Sequence, residues 1–272
     1  MKNSQKYLQF WKKYGHCALV AGGSDGLGAA FAEALAKRGL NLILIARQKE
    51  RLEETAKKLR ERYSIDVTAI AADLADYEKT KSLIDGLSSD QNKKNSIGLL
   101  VYNAAFAPIG LFEKTSEEQL SMAAAVNVRT PLLLAKLLSA PMIDNKRGGI
   151  VLMSSLAGSQ GSPKLAAYAA TKAFNAVLAE GLWKELKPHG VNVIGCCAGA
   201  ITTPGYQQAE KSKSAPGTLS ADIVAEQTLK ALGKGPIVIP GKINKLAKFV
   251  LTKILTKKAA IEIMSKNTGG LS

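Results

Sequence analysis

Tyr168 and Lys172, in the stretch YAATK, are the residues whose types and spacing best suit proton transfer. Four residues apart on a helix, they share a face one turn apart. An ammonium beside a phenol favours the ionised form, bringing a hydroxyl of free pKa about 10 closer to acid–base work at neutral pH. The bare pattern says little, because 7 tyrosines and 30 lysines in 272 residues produce roughly one such pair by chance. A second pair, Tyr77 and Lys81, stands in YEKTK. Each tyrosine also has a serine thirteen residues upstream, Ser155 before Tyr168 and Ser64 before Tyr77, so a longer pattern does not separate them. The elements that carry the residues must decide.

From Cys17 onward, short apolar runs alternate with amphipathic stretches of helix length. The strands read HCALV, LNLILIA, DVTAIAA, IGLLVYN, GGIVLMSS, VNVIGCCAG and PIVIP; helices are expected at 27–38, 48–62, 76–87, 116–139, 164–187 and 219–232. Continuous rather than alternating apolar strands indicate a sheet buried on both faces, which predicts a single-domain, doubly wound parallel α/β sheet of seven strands. Ligands of such a sheet bind beyond the carboxyl ends of its strands. Ser64 precedes its strand and lies at the wrong edge. Ser155 follows its strand, so Ser155, Tyr168 and Lys172 are the set expected at the ligand edge.

The first strand runs through AGGSDGLG into a helix. Gly22, Gly26 and Gly28, with Ser24 and Leu27 among them, form G-x-x-x-G-x-G; the commoner G-x-G-x-x-G is absent because Phe31 occupies the third glycine's place. A tight turn, close backbone approach and a helix N-terminus together suit a pyrophosphate. At the end of the second strand, where a ribose with free hydroxyls would want Asp or Glu, stands Arg47. A guanidinium suits a 2'-phosphate, which favours NADP(H) over NAD(H). Asp73 and Leu74 follow the third strand. Asp73 is placed to reach an adenine edge, to cap the next helix, or both.

Taken together and in order, these motifs resemble the short-chain dehydrogenase/reductase family over residues 16–240, in its 3-oxoacyl reductase and 17-beta-hydroxysteroid dehydrogenase-like branch. The glycines match T-G-x-x-x-G-x-G with Ala21 for the threonine; YNAA keeps Asn103 and Ala104 of N-N-A-G; Asn127 matches the helix asparagine; and CAGAITT resembles P-G-x-x-x-T through Gly199 and Thr203, with Ala198 for proline. The resemblance implies a Rossmann-type fold and hydride transfer between a nicotinamide and a carbonyl or secondary alcohol. It makes Tyr168 the general acid/base, Ser155 the partner of the substrate carbonyl, and Lys172 the tuner of the phenol and holder of the nicotinamide ribose. Asn127 would position a proton-relay water, and Thr203 would hold the carboxamide. It implies no metal and a homodimer or homotetramer, and it faintly favours a hydrophobic ketone, 3-oxoacyl or steroid-like. The reading from another class is a cofactor-binding scaffold without turnover.

Composition sets the outer bounds. With 46% hydrophobic residues and a mean hydropathy near zero the chain can bury a large core. The net charge of +15 sits mainly at the ends: +4 in 1–15, +8 in 227–272 and +3 between. The body is therefore nearly balanced, and no aromatic-rich basic face indicates nucleic acid. Three cysteines are too few for a disulfide framework, and neither a leader nor an apolar run of about 18 residues is evident, which predicts a cytoplasmic protein. The chain divides into a basic segment (1–15), the catalytic unit (16–240) and a basic tail (241–272). Within the tail, 242–258 reads as a helix with Ile243, Leu246, Ala247, Val250, Leu251 and Ile254 on one face and Lys242, Lys245 and Lys248 elsewhere. Such a helix suits peripheral contact with anionic lipid, assisted by YLQFWKK, or burial of the stripe against protein. The loop 204–218 is the expected lid.

Overall fold

A computed structural model describes residues 2–88, 96–202 and 216–268. Nine strands occur among them: β1 (Cys17–Ala21), β2 (Asn41–Ala46), β3 (Val67–Ala71), β4 (Ile97–Tyr102), β5 (Gly148–Ser155), β6 (Val191–Ala198), β7 (Ile201–Thr202), β8 (Leu219–Ser220) and β9 (Ile237–Val238). Seven of these form one parallel sheet in the order β3-β2-β1-β4-β5-β6-β9, as the seven apolar runs predict; β7 and β8 make a separate two-stranded pair. The order reverses between β1 and β4, where a crevice opens at the carboxyl edge.

Alternation along each strand feeds two cores. Ala18 and Val20 of β1 face Phe31 and Leu35 of α2 (Gly26–Ala36) and join Leu52 of α3 (Lys49–Tyr63). Leu19 and Ala21 face the other layer, with Ile84 of α4 (Tyr77–Ser88), Leu134 and Leu138 of α6 (Thr130–Asp144) and Ala179 of α7 (Ala166–Leu186). The helix expected at 116–139 is interrupted: α5 (Glu117–Ala124), opened by a Ser116–Gln119 capping box, passes through a π turn at Ala125–Arg129 before α6 begins. A further helix, α8 (Ala221–Ala231), covers the first core with Val224 and Leu229.

The two ends behave differently. The N-terminal helix α1 (Lys2–Tyr14) closes the amino edge of the sheet. Trp11 Nε1 donates to the Arg38 carbonyl, the Phe10 and Tyr14 rings meet edge-on at 4.6 Å, and Tyr14 is buried with its hydroxyl on the Leu232 carbonyl. The aromatics of YLQFWKK thus pack, half-buried, on the body at the edge opposite the glycine turn. In the tail, α9 (Lys242–Phe249) continues as a π turn to Ile254, extended backbone at Leu255 ends it, and α10 (Lys257–Thr268) follows. The single stripe expected at 242–258 divides already within α9, because the side of the helix turned to the body is the one that carries buried Asn244. Ala247, Val250 and Leu251 are half-buried, while Ile243, Leu246 and Ile254, joined by Phe249, stand exposed. No described helix is long and apolar enough to cross a membrane.

Candidate active site

The glycine turn is shaped by backbone contacts. Gly22 has φ +80°, and a Cβ there would lie 2.8 Å from the Ala104 nitrogen; a Cβ on Gly28 would come within 1.7 Å of the Gly22 carbonyl oxygen. Gly28 therefore stands behind Gly22 as its packing partner and does not line the cleft. Asn103 Nδ2 donates to the same Gly22 oxygen at 3.2 Å, and the Ala104 nitrogen donates to the Ala21 carbonyl at 2.9 Å, so the YNAA segment braces the turn from β4. Asp25 caps α2, accepting from the Gly26 nitrogen at 2.6 Å, and pairs through its other oxygen with Arg51 at 2.8 Å. A Gly28→Ala change must displace this backbone; we expect dinucleotide affinity to fall at least about tenfold, measured by cofactor fluorescence titration.

Arg47, just past β2, is exposed, lines the cleft, and has no ion-pair partner among the described residues. Asp73 lines the same cleft and accepts from the Ala75 nitrogen at 2.9 Å. It does not cap α4: that role falls to Asp76, which accepts from the Lys79 nitrogen at 3.1 Å, because the helix begins only at Tyr77. Leu74 is buried beneath Asp73 in sequence and also contributes to the wall.

Ser155 ends β5 at the carboxyl edge, and Tyr168 and Lys172 follow on α7. Ser155 and Tyr168 are hydrogen-bonded side chain to side chain. Burial raises the Tyr168 phenol above its usual range, with the Ser155 bond acting the other way. Lys172 is buried at 3% exposure. Its Nζ donates to the Met153 carbonyl at 3.0 Å and lies 5.5 Å from the centre of the Tyr168 ring. The Ser154 hydroxyl pins the same turn of α7 by donating to the Lys172 carbonyl at 2.6 Å. Burial brings the ammonium down to about 8, a nearby Cys196 acting in the opposite sense.

One cleft of about 850 Å³ gathers Gly22, Ser24, Gly26, Leu27, Arg47, Asp73, Leu74, Asn103, Ala104, Ser155, Tyr168, Lys172 and Gly199. Of the other residues expected at the site, Thr203 lies outside the described residues, as does most of the loop 204–218 expected as a lid. Asn127 is wholly buried behind the wall. Its side chain accepts from the Phe106 nitrogen at 2.8 Å and donates to the Phe106 carbonyl at 2.7 Å and to Thr171 Oγ1 at 3.0 Å. Its carbonyl, freed by the π turn, accepts from Asn175 Nδ2 at 2.9 Å. Asn127 thus ties the loop after β4 to α7.

Asn175, Thr171, Phe106 and the Met153 carbonyl were not singled out from sequence. Asn175 carried a signal: it lies seven residues after Tyr168, two turns along the helix face that also carries Thr171 and Lys172. The rival pair separates as expected. Ser64 ends α3 at the amino edge, Lys81 pairs with Asp85 at 3.0 Å in solvent, and Tyr77 packs half-buried on the second core.

Comparison with known proteins bears on what this cleft is. The model of the short chain dehydrogenase family matches residues 16–214. A 7beta-hydroxysteroid dehydrogenase of Clostridium sardiniense is 30% identical over 240 residues, covering 88% of this chain and 90% of that protein. A very-long-chain 3-oxoacyl-CoA reductase of Phaeosphaeria nodorum is 34% identical over 208 residues, covering 73% of this chain and 58% of that protein, so the chain spans little more than half of its length. A short-chain dehydrogenase of Sphingobium yanoikuyae, solved in complex with NADPH, superposes with a TM-score of 0.75 at 27% identity over 88% of this chain and 96% of that one. With the glycine turn, the Ser155–Tyr168 bond and Lys172 at one carboxyl-edge cleft, the chain belongs to the short chain dehydrogenase family and is an oxidoreductase of hydroxyl and keto groups.

Proposed function

We propose that the protein is an NADPH-dependent reductase of hydrophobic ketones. One observation carries the reading: the hydrogen-bonded Ser155–Tyr168 pair, with Lys172 beside it, opens into the same cleft as the glycine turn and Arg47. The residues present fit a dinucleotide. Gly22 and Gly26 leave backbone bare at the N-terminus of α2, Asp73 stands where an adenine edge would come, and Asn103 and Ala104 hold the turn in shape. NADPH, when bound, supplies the hydride.

The chain's own side chains handle the proton and the carbonyl. Ser155 Oγ orients the ketone oxygen, and Tyr168 Oη donates its proton to that oxygen as negative charge develops there. A phenol held above its usual pKa keeps that proton through neutral pH, as a proton donor to the ketone must. Lys172, anchored on Met153, places a cation beside the ring that stabilises the phenolate left behind. Asn127 acts as a positioning residue through Phe106 and Thr171. Gly199 contributes to the cleft wall, and Thr203, four residues on in sequence, would hold the nicotinamide carboxamide.

The wall near Tyr168 carries Phe106, Val126, Met153 and Ile201, which supports an apolar substrate; the names of the hydroxysteroid and 3-oxoacyl relatives point the same way. Leu132 on α6 and Val177 on α7 are exposed apolar residues, a face that suits a homodimer or homotetramer. Buried free thiols at Cys17, Cys196 and Cys197 fit a cytoplasmic location.

The test is NADPH and NADH oxidation against a panel running from short polar ketones to steroid and 3-oxoacyl ketones, with Arg47→Ala beside the wild type. Charge-assisted bonds to a 2'-phosphate predict a rise of about ten- to hundredfold in KM for NADPH and little change for NADH. Equal loss with both cofactors, or none, would overturn the NADPH preference.

A further inference from the structure

Apolar residues of the tail remain uncovered after folding. Ile243, Leu246, Phe249 and Ile254 are 55–64% exposed. Between them Lys242, Lys245 and Lys253 also face solvent. The tail is fixed to the rim of the cleft. Asn244, itself buried, donates to the Gly217 and Pro240 carbonyls at 3.0 Å each, and a Cβ on Gly199 of the cleft wall would lie 2.6 Å from its Oδ1. Ile261 of α10 lies against the connection between β5 and α7, 3.7 Å from the place of a Cβ on Gly161.

That same connection carries a second uncovered patch. The Gly110 nitrogen donates to the Lys164 carbonyl at 2.9 Å, which seats Ile109, Leu111 and Phe112, all exposed, beside it. Apolar residues that soluble surfaces usually scatter singly are here grouped in two segments that both rest on the connection between β5 and α7. Charge identifies the partner. Residues 242–268 hold seven lysines and Glu262 as the lone acid. A second copy seated symmetrically would set this cationic face against itself. Apolar side chains interleaved with lysines, on a short helix lying along the body, match a surface that is anionic outside and hydrocarbon beneath.

We propose that the carboxyl-edge rim, formed by the tail and the 109–112 loop, docks on an anionic lipid bilayer. The inference stands on exposure and charge and does not require the reductase reading; only its consequence, that a hydrophobic ketone enters from the bilayer side, rests on it.

The experiment is co-sedimentation of the full chain with phosphatidylcholine vesicles and with vesicles containing phosphatidylglycerol, at low and high salt. Two variants accompany it: Leu246→Glu with Phe249→Glu, and Lys242→Gln with Lys245→Gln. All four side chains are exposed, so folding, followed by circular dichroism and melting, is expected to be retained, as is NADPH binding. The expected result is pelleting with anionic vesicles only, weakened by salt, and reduced at least about tenfold in both variants. Wild-type protein left in the supernatant with both vesicles overturns the proposal. So does undiminished pelleting of the Leu246/Phe249 variant, or loss of a dimer rather than of vesicle binding in that variant on sedimentation velocity. Failure here appears in pelleting, whereas failure of the reductase reading appears in turnover.

Discussion

The Tyr168→Phe variant is expected to bind NADPH as the wild type does and to reduce ketones about 10²- to 10⁴-fold more slowly, the range associated with losing a positioned general acid. The substitution removes one oxygen and leaves the ring, so the packing of α7 against β5 and the 5.5 Å approach of Lys172 Nζ to the ring centre are retained. What is lost is the proton donor and its bond to Ser155. Single-turnover kinetics with saturating NADPH, paired with fluorescence titration of the cofactor, separates chemistry from binding. A fall in affinity that matches the fall in rate would move Tyr168 from catalysis to cofactor holding. Tight NADPH binding with no Tyr168-dependent turnover on any ketone of the panel would favour a scaffold that kept the cleft without the reaction.

Much of this site was legible because its residues obey rules that act over short distances. The strands announce themselves as unbroken apolar runs, and a parallel sheet fixes which end of each is the ligand edge; that alone separated Ser155 from Ser64. Arg47 and Asp73 were readable as residues just past strands. Other features depend on geometry that spacing does not encode. The π turn at Ala125–Arg129 leaves no compositional mark, yet it exposes the Asn127 carbonyl to Asn175 and hides the Asn127 side chain behind Phe106. The helix of the third βα unit starts at Tyr77, and so Asp76 rather than Asp73 caps it. A 3.6-residue period in the tail predicted one stripe, but the side of α9 that meets the body is set by Asn244, buried on the Gly217 and Pro240 carbonyls, so the stripe is shared between body and solvent. The packing of the α1 aromatics was not legible, because the sequence does not show that the Arg38 carbonyl waits at the amino edge for Trp11.

Lys172 ties catalysis to stability through a single buried charge. Burial lowers its pKa from 10.5 to about 8 in the folded protein, so between those values the unfolded chain binds the proton that the native chain releases. Stability therefore rises with pH across that window: the penalty for charging the amine in the fold is fully present below pH 8 and gone above the unfolded value. A shift of that size corresponds to an upper bound on the order of 3 kcal/mol at neutral pH, because each unit is about 1.4 kcal/mol. Lys172→Met fills a similar volume without a charge and forfeits the 3.0 Å bond to the Met153 carbonyl, a loss of about 1 kcal/mol. We expect cofactor-free Lys172→Met to melt several degrees above the wild type at pH 7, by the usual few degrees per kcal/mol for a chain of this size. The gap narrows as pH rises past 8, closes short of 10.5 and then reverses by about the 1 kcal/mol of the lost Met153 bond. Other groups raised by burial, such as Tyr14 and Cys17 at about 12, are common to both proteins and cancel in the difference. The same variant should reduce ketones at least about 10²-fold more slowly, since the phenolate left on Tyr168 loses its cation. Calorimetric melts of both proteins from pH 6 to pH 10.5 check the first half and turnover checks the second. A variant that melts lower at pH 7 would show that the bond to Met153 outweighs the buried charge, and that the fold does not sacrifice stability to keep the amine beside Tyr168.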